Sequence, residues 1–187
     1  QDHGRCLIEP ADRAEESGGR GSGGNKAGGT GDASLTPSYS NGSTYDYYGV
    51  MFDVQAKDQP VVIKAITCPC NGSSSFTLYT APQSYRDIRE SSSRWQRAAS
   101  GSLSRGETNR IVLEPPLCVD PGATCSLYVA ASSDNSAVCF RKGTGEVCEN
   151  DFLKLLPGAY GSDSSAFSSM GNNVGETVFI GTLEAEV

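Results

Sequence analysis

Gly49-Val50-Met51-Phe52-Asp53-Val54 alternates: Val50, Phe52 and Val54 fall on one side of an extended chain, Met51 and Asp53 on the other. Successive strand side chains point to opposite faces, so this period of two predicts a half-buried β-strand. The pattern recurs downstream. Val61, Ile63 and Ala65 share a face in 60–67, and Phe76 and Leu78 do so in 75–80. Further strands are expected over 95–103, 109–113, 125–130, 137–141, 146–148 and 177–187. Clusters of Gly, Pro, Asn, Asp and Ser separate these runs, and no segment sustains a 3.6-residue apolar stripe. The best helical candidate is Asp151-Phe152-Leu153-Lys154-Leu155-Leu156, stopped by Pro157-Gly158. Many short strands with turn signals, and no helices alternating with them, point to an all-β fold: an antiparallel, jelly-roll-like β-sandwich.

Upstream of this pattern the composition changes. The first 40 residues hold nine of the 22 glycines and almost no aliphatic periodicity. Such a stretch cannot bury enough apolar surface to offset its ordering entropy. Residues 1–42 are therefore expected to be a flexible Gly-rich N-terminal arm and residues 43–187 the sandwich. As a coil, the arm would span about 35 Å, from roughly 5–6 Å times the square root of its length. It carries its own cysteine in a small apolar hook, Cys6-Leu7-Ile8.

The net charge is −7, from 15 basic and 22 acidic residues scattered along 187 positions, with no Lys/Arg cluster to neutralise a row of phosphates. Nucleic acid is not an expected partner. No apolar run reaches the roughly 20 residues of a membrane span, and the opening on Gln1 is read as that of a processed, exported protein. Seven cysteines, with no CxxC pair and the single histidine, His3, in the arm, fit disulfides in an oxidising compartment better than a metal site.

Two local disulfides follow from turn registers. A two-residue turn at Gly143-Thr144 would set Cys139 across a hairpin from Cys148, at a non-hydrogen-bonded position where side chains come closest. A four-residue loop, Asp120-Pro121-Gly122-Ala123, would set Cys118 opposite Cys125. Cys6, Cys68 and Cys70 remain. A bond across Pro69 would be strained, which favours Cys6 joining Cys68 or Cys70 and leaves one thiol for an intermolecular link. Asn41 and Asn71 each open an N-G-S sequon and are candidate glycosylation sites.

With its only histidine in the arm, the chain offers no Ser-His-Asp, Cys-His or zincin arrangement. No glycine fingerprint leads from a strand into a helix, so no nucleotide cofactor is expected. Glu184 and Glu186 share a strand face as paired glycosidase carboxylates would, but charged residues also keep an edge strand soluble. No catalytic residues are assigned. Asp120, Asp134, Asp151 and Asp163 lack EF-hand spacing, so no metal site is assigned either. Tyr47, Tyr48 and Trp95 are the candidate glycan contacts, as aromatic platforms.

Gly49-Val50-Met51-Phe52-Asp53-Val54, Phe76-Thr77-Leu78-Tyr79-Thr80 with Ser84-Tyr85 and Trp95, and Ser126-Leu127-Tyr128-Val129 together resemble an uncharacterised extracellular β-sandwich domain of secreted and surface proteins from algae and marine microbes. The resemblance continues through Asp151-Phe152-Leu153 and Pro157-Gly158 and covers about three quarters of the chain. It implies a β-sandwich in an extracellular setting and no catalytic residues. The cysteines and the arm depart from it. The expectation is thus a secreted, non-enzymatic structural subunit that self-assembles into a filament, surface appendage or matrix through its arm and disulfides. The alternative is a monomeric glycan-binding, lectin-like module.

Overall fold

Both faces of the Gly49–Val54 run are covered. In the computed structural model, which describes residues 31–38, 44–170 and 173–187, this run lies in the eight-residue strand Gly49–Ala56, and Gln55 alone of the eight residues is not buried. Val50, Phe52 and Val54 point into the main core. Met51 packs on the opposite face beneath the segments around Tyr85, Trp95 and Phe167. The apolar alternation was therefore a sign of one core, and a second, smaller one lies behind it.

Twelve strands are present among the described residues. They are β1 (Thr44–Tyr47), β2 (Gly49–Ala56), β3 (Val61–Pro69), β4 (Ser74–Ala81), β5 (Gln96–Leu103), β6 (Thr108–Val119), β7 (Thr124–Ala131), β8 (Val138–Lys142), β9 (Cys148–Glu149), β10 (Leu153–Gly161), β11 (Thr177–Phe179) and β12 (Leu183–Glu186). The helical content among the described residues is two short 3-10 turns, Tyr85–Asp87 and Ser92–Arg94. All strand pairs are antiparallel. One layer runs β1-β8-β11-β10-β2-β7-β4-β5, with β9 added beside β10, and the other runs β12-β3-β6. The architecture is the expected antiparallel sandwich in two layers, and its main core holds Ile63, Leu113, Leu127 and the stacked pair Phe52–Phe179, 4.2 Å between ring centroids.

Residues 31–38 belong to the sandwich, although they fall within the stretch expected to be arm. Ala33 and Leu35 donate to the carbonyls of Ala185 and Leu183 at 2.9 Å, Leu183 donates back to Leu35 at 2.9 Å, and Val187 donates to Gly31 at 3.0 Å. Ala33 and Leu35 are buried in the main core. Asn150 clamps the outer rim of this segment, its amide donating to the carbonyls of Ala33 (3.2 Å) and Ser34 (3.0 Å). The backbone groups that β12 would have left unpaired as an edge are thus satisfied.

The candidate helix 151–156 is instead the start of β10. Asn150 Oδ1 accepts from the amides of Phe152 (2.9 Å) and Leu153 (2.8 Å), an Asx turn that launches an extended chain. Leu153 and Leu155 then alternate into the core opposite Ala56 and Val54. Likewise 177–187 is two strands: β11 lies in the large layer and β12 in the small one, with Gly181 pressed against the Thr67 carbonyl between them.

Neither turn that carried a disulfide register makes the hairpin it required. β8 sits between β1 and β11, so Cys139 faces Asp46, while Cys148 on β9 faces Leu155. The chain past Lys142 keeps pairing, with Gly143 donating to the Glu176 carbonyl at 2.9 Å rather than turning back. The Asp120–Ala123 turn does close, at 2.9 Å, but it carries the chain from one layer to the other. Cys118 therefore lies opposite Val62 in the small layer and Cys125 opposite Val54 in the large one, and Cys125 is a buried thiol. The registers proposed for Cys139–Cys148 and Cys118–Cys125 are corrected accordingly.

Candidate functional site

At one end of the sandwich β3 leaves its layer and the chain crosses to the other. Cys68 is the last inward-facing residue of β3, Pro69 ends the strand, and Cys70 forms a single bridge to Val138 on β8. The loop between β5 and β6 holds Cys70 from both sides: its amide donates to the Glu107 carbonyl at 3.0 Å and its carbonyl accepts from Gly106 at 2.9 Å. This crossing brings a third thiol into the group, since Cys139 follows Val138. Cys68 is wholly buried, Cys70 is 5% exposed and Cys139 is 8% exposed.

Cys70 and Cys139 line an open depression of about 340 Å³ together with Asp46, Asn71 and Glu107. The sulfurs of Cys68 and Cys70 are 3.9 Å apart, and the Cys70 thiol can donate to the Cys68 carbonyl at 3.3 Å. Asn71 is exposed at the rim, its Nδ2 donating to Asp46 Oδ2 at 2.6 Å. The Asn71 sequon thus sits beside the thiols, whereas Asn41 and Cys6 lie outside the described residues.

The three thiols differ in acidity. The hydrogen bond with Cys70, then burial and the nearby Cys70 and Cys139, push Cys68 well above the ordinary thiol value. The same contact with Cys68 lowers Cys70, burial opposes it, and the Asn109 side chain adds to the lowering. Burial, with Cys70 and Asp46 close by, pushes Cys139 up to about 11 against a hydrogen bond from the Asn71 backbone. Elsewhere, burial and then Asp53 raise Cys125.

These shifts fix a pH dependence. Cys68, Cys125 and Cys139 stay protonated in the folded chain at pH values where the unfolded chain has begun to lose those protons. Their contribution is complete below the ordinary thiol value near 9 and declines as the pH rises above it, Cys139 losing its share by about 11. Tyr128, raised by burial, adds the same sign above about pH 10. Cys70 alone among the thiols of this cluster works the other way. Urea midpoints are expected to fall between pH 9 and 11, and a midpoint that rises over this range would contradict the assignment.

The other candidate residues occupy different settings. Trp95 is 7% exposed, and its indole N–H donates to the Ile88 carbonyl at 3.1 Å within the smaller core, so its ring offers no exposed platform. Tyr47 stacks on Tyr160 at 4.7 Å and on Phe140 at 6.0 Å, and Tyr48 is half-buried. Glu184 pairs with Arg110, 2.6 Å at the closest approach, and Glu186 with Lys64. That contact with Arg110 holds the Glu184 carboxyl below its ordinary value. None of Asp120, Asp134, Asp151 and Asp163 joins a group of three metal-capable side chains among the described residues.

Asp53 went unread as a functional residue and is a buried carboxylate with three hydrogen-bond donors around it. It is 3% exposed and accepts from Ser84 Oγ (2.6 Å), the Tyr85 amide (3.0 Å) and Ser126 Oγ (2.6 Å). It therefore anchors the segment that covers the smaller core.

Fold and site together define an all-β, two-layer antiparallel sandwich with a cluster of three thiols at one end. Among the described residues no helix is long and apolar enough to cross a membrane. No protein-family model matches the chain, and no curated protein matches its sequence.

Proposed function

We propose that the chain is a secreted, non-enzymatic structural subunit that self-assembles into an extracellular filament, surface appendage or matrix through its N-terminal arm and disulfides. The observation that carries this reading is the attachment of residues 31–38, which follow the glycine-rich stretch 1–30. Four main-chain hydrogen bonds and two buried side chains hold this segment along β12. Main-chain pairing of this kind gives affinity whichever copy supplies the strand, so the same segment of a neighbouring chain fits the same place. Cysteine content and the resemblance to algal and marine surface domains support an extracellular setting, with Asn71 an exposed glycan acceptor.

Glu184 and Glu186 are engaged by Arg110 and Lys64, which supports the non-enzymatic reading. Glycan hydrolysis by the purified chain, abolished by Glu184→Gln with Glu186→Gln, would contradict it. A glycan-binding module is the second reading, favoured by Tyr45. That ring is 39% exposed, lies beneath the Lys142 ammonium at 4.4 Å and is next to Asp46 at the depression. Size-exclusion chromatography and negative-stain images of native material separate the two. Ordered polymers are expected; a strict monomer that binds an immobilised glycan would favour the second.

A further inference from the structure

We propose that Cys70 and Cys68 form a thiol–disulfide exchange site, with Cys70 the attacking and Cys68 the resolving residue, for small disulfides of cationic character. The division of roles follows from access. Cys70 lines the depression, while Cys68 is wholly buried with its sulfur 3.9 Å behind that of Cys70. Of the pair, Cys70 is the one that an incoming disulfide reaches; Cys139 also lines the depression, but burial holds its proton, whereas the contact with Cys68 lowers Cys70.

The chemistry balances over two steps. The Cys70 thiolate attacks one sulfur of a disulfide RS–SR, forming a Cys70–SR mixed disulfide and releasing RS⁻, which takes a proton from water. Cys68 then gives up its proton to water and attacks the Cys70 sulfur, releasing the second RS⁻, which is protonated in turn. Two protein thiols are oxidised and one external disulfide is reduced to two thiols. The contact with Cys68 lowers the Cys70 thiol below its ordinary value, which favours the attacking form. Once Cys70 is capped, its hydrogen bond and charge no longer hold the proton on Cys68, which leaves burial and Cys139 as the causes that still raise it.

Substrate charge is set by the rim. Asp46 and Glu107 are its acidic side chains and no Lys or Arg among the described residues lines it, so a cationic disulfide such as cystamine is favoured over anionic oxidised glutathione. The product closes a ring around one residue, Pro69, a link that another thiol readily reopens. The exchange acts within a single chain, and although the assembly reading draws on the same two cysteines for a bond to Cys6, the peptide map at Cys70 and the polymer state are read separately.

The test uses the reduced full-length chain, treated with cystamine or oxidised glutathione at equal concentration and mapped by non-reducing peptide mass spectrometry at Cys70. The expected product is a Cys68–Cys70 link, formed roughly tenfold faster with cystamine, after correction against free cysteine. Cys68→Ala is expected to stop at the mixed disulfide on Cys70, and Cys70→Ala to leave Cys68 unmodified. A stable mixed disulfide on wild-type Cys70, a Cys70–Cys139 link, or an unreacted Cys70 would each overturn the proposal. Should Cys68→Ala fail to fold, the wild-type map and Cys70→Ala decide.

Discussion

Gly158→Ala is expected to cost about 3 kcal/mol or more of stability, at the upper end of what overpacking a close contact does. β10 runs beside β2 with a bulge between Leu156 and Ala159, and at the bulge Gly158 lies directly over the Met51 main chain. A Cβ there would fall on the Met51 carbonyl oxygen, a backbone atom that cannot swing away as a side chain does. Gly158 also makes the one registered pair between β10 and β11, with Thr177, so its displacement strains the join between the two halves of the large layer. Urea unfolding of the purified variant measures the loss. A midpoint within error of wild type would mean that the bulge is not packed as described.

Asp53→Ala is expected to destabilise the chain by a similar amount, about 3 kcal/mol or more, for a different reason. Removing the carboxylate leaves Ser84 Oγ, the Tyr85 amide and Ser126 Oγ to find other acceptors in a buried site, each unmet group costing roughly 1–3 kcal/mol. Ser126 recovers part of this, since its hydroxyl also lies 2.6 Å from the Gln83 carbonyl. The cover over the smaller core should loosen with it, exposing Trp95. A blue-to-red shift in the emission of this single tryptophan, at urea concentrations below global unfolding, is the accompanying signal. Loss of less than about 1 kcal/mol, with unchanged emission, would contradict the anchoring role.

Strands were legible wherever the evidence for them was local. The alternation in Val50, Phe52 and Val54, or in Phe76 and Leu78, records which side faces the core, and a strand needs no other information to be recognised. Pairing is a different matter, because β8 lies between β1 and β11, both distant in sequence, and no turn signal encodes that. The Asp120–Ala123 turn was read correctly as a turn and wrongly as a hairpin, since local chemistry does not say whether a turn reverses within one layer or crosses to the other. Asp53 was hidden by the same limitation: its alternate position suggested solvent, and only the packing of 82–95 over that face buries it. Of the thiol cluster, the Cys68-Pro69-Cys70 motif stood out in the sequence. Cys139 joins it through the Cys70–Val138 bridge, a contact between positions 68 residues apart.

The boundary at residue 30 alters what a truncation should do. Residues 31–38 are part of the sandwich, so removing them should strip Ala33 and Leu35 from the core and weaken the fold, which confuses any test of assembly. Removing 1–30 alone leaves the strand along β12 in place. The most direct measurement is sedimentation velocity under non-reducing conditions on the full chain and on residues 31–187, with urea midpoints as a folding control. The account predicts disulfide-linked polymers for the full chain and, for 31–187, which keeps the exchangeable strand but lacks Cys6, none that persist in denaturant; disulfide-linked polymers from 31–187 equal to those of the full chain would contradict it.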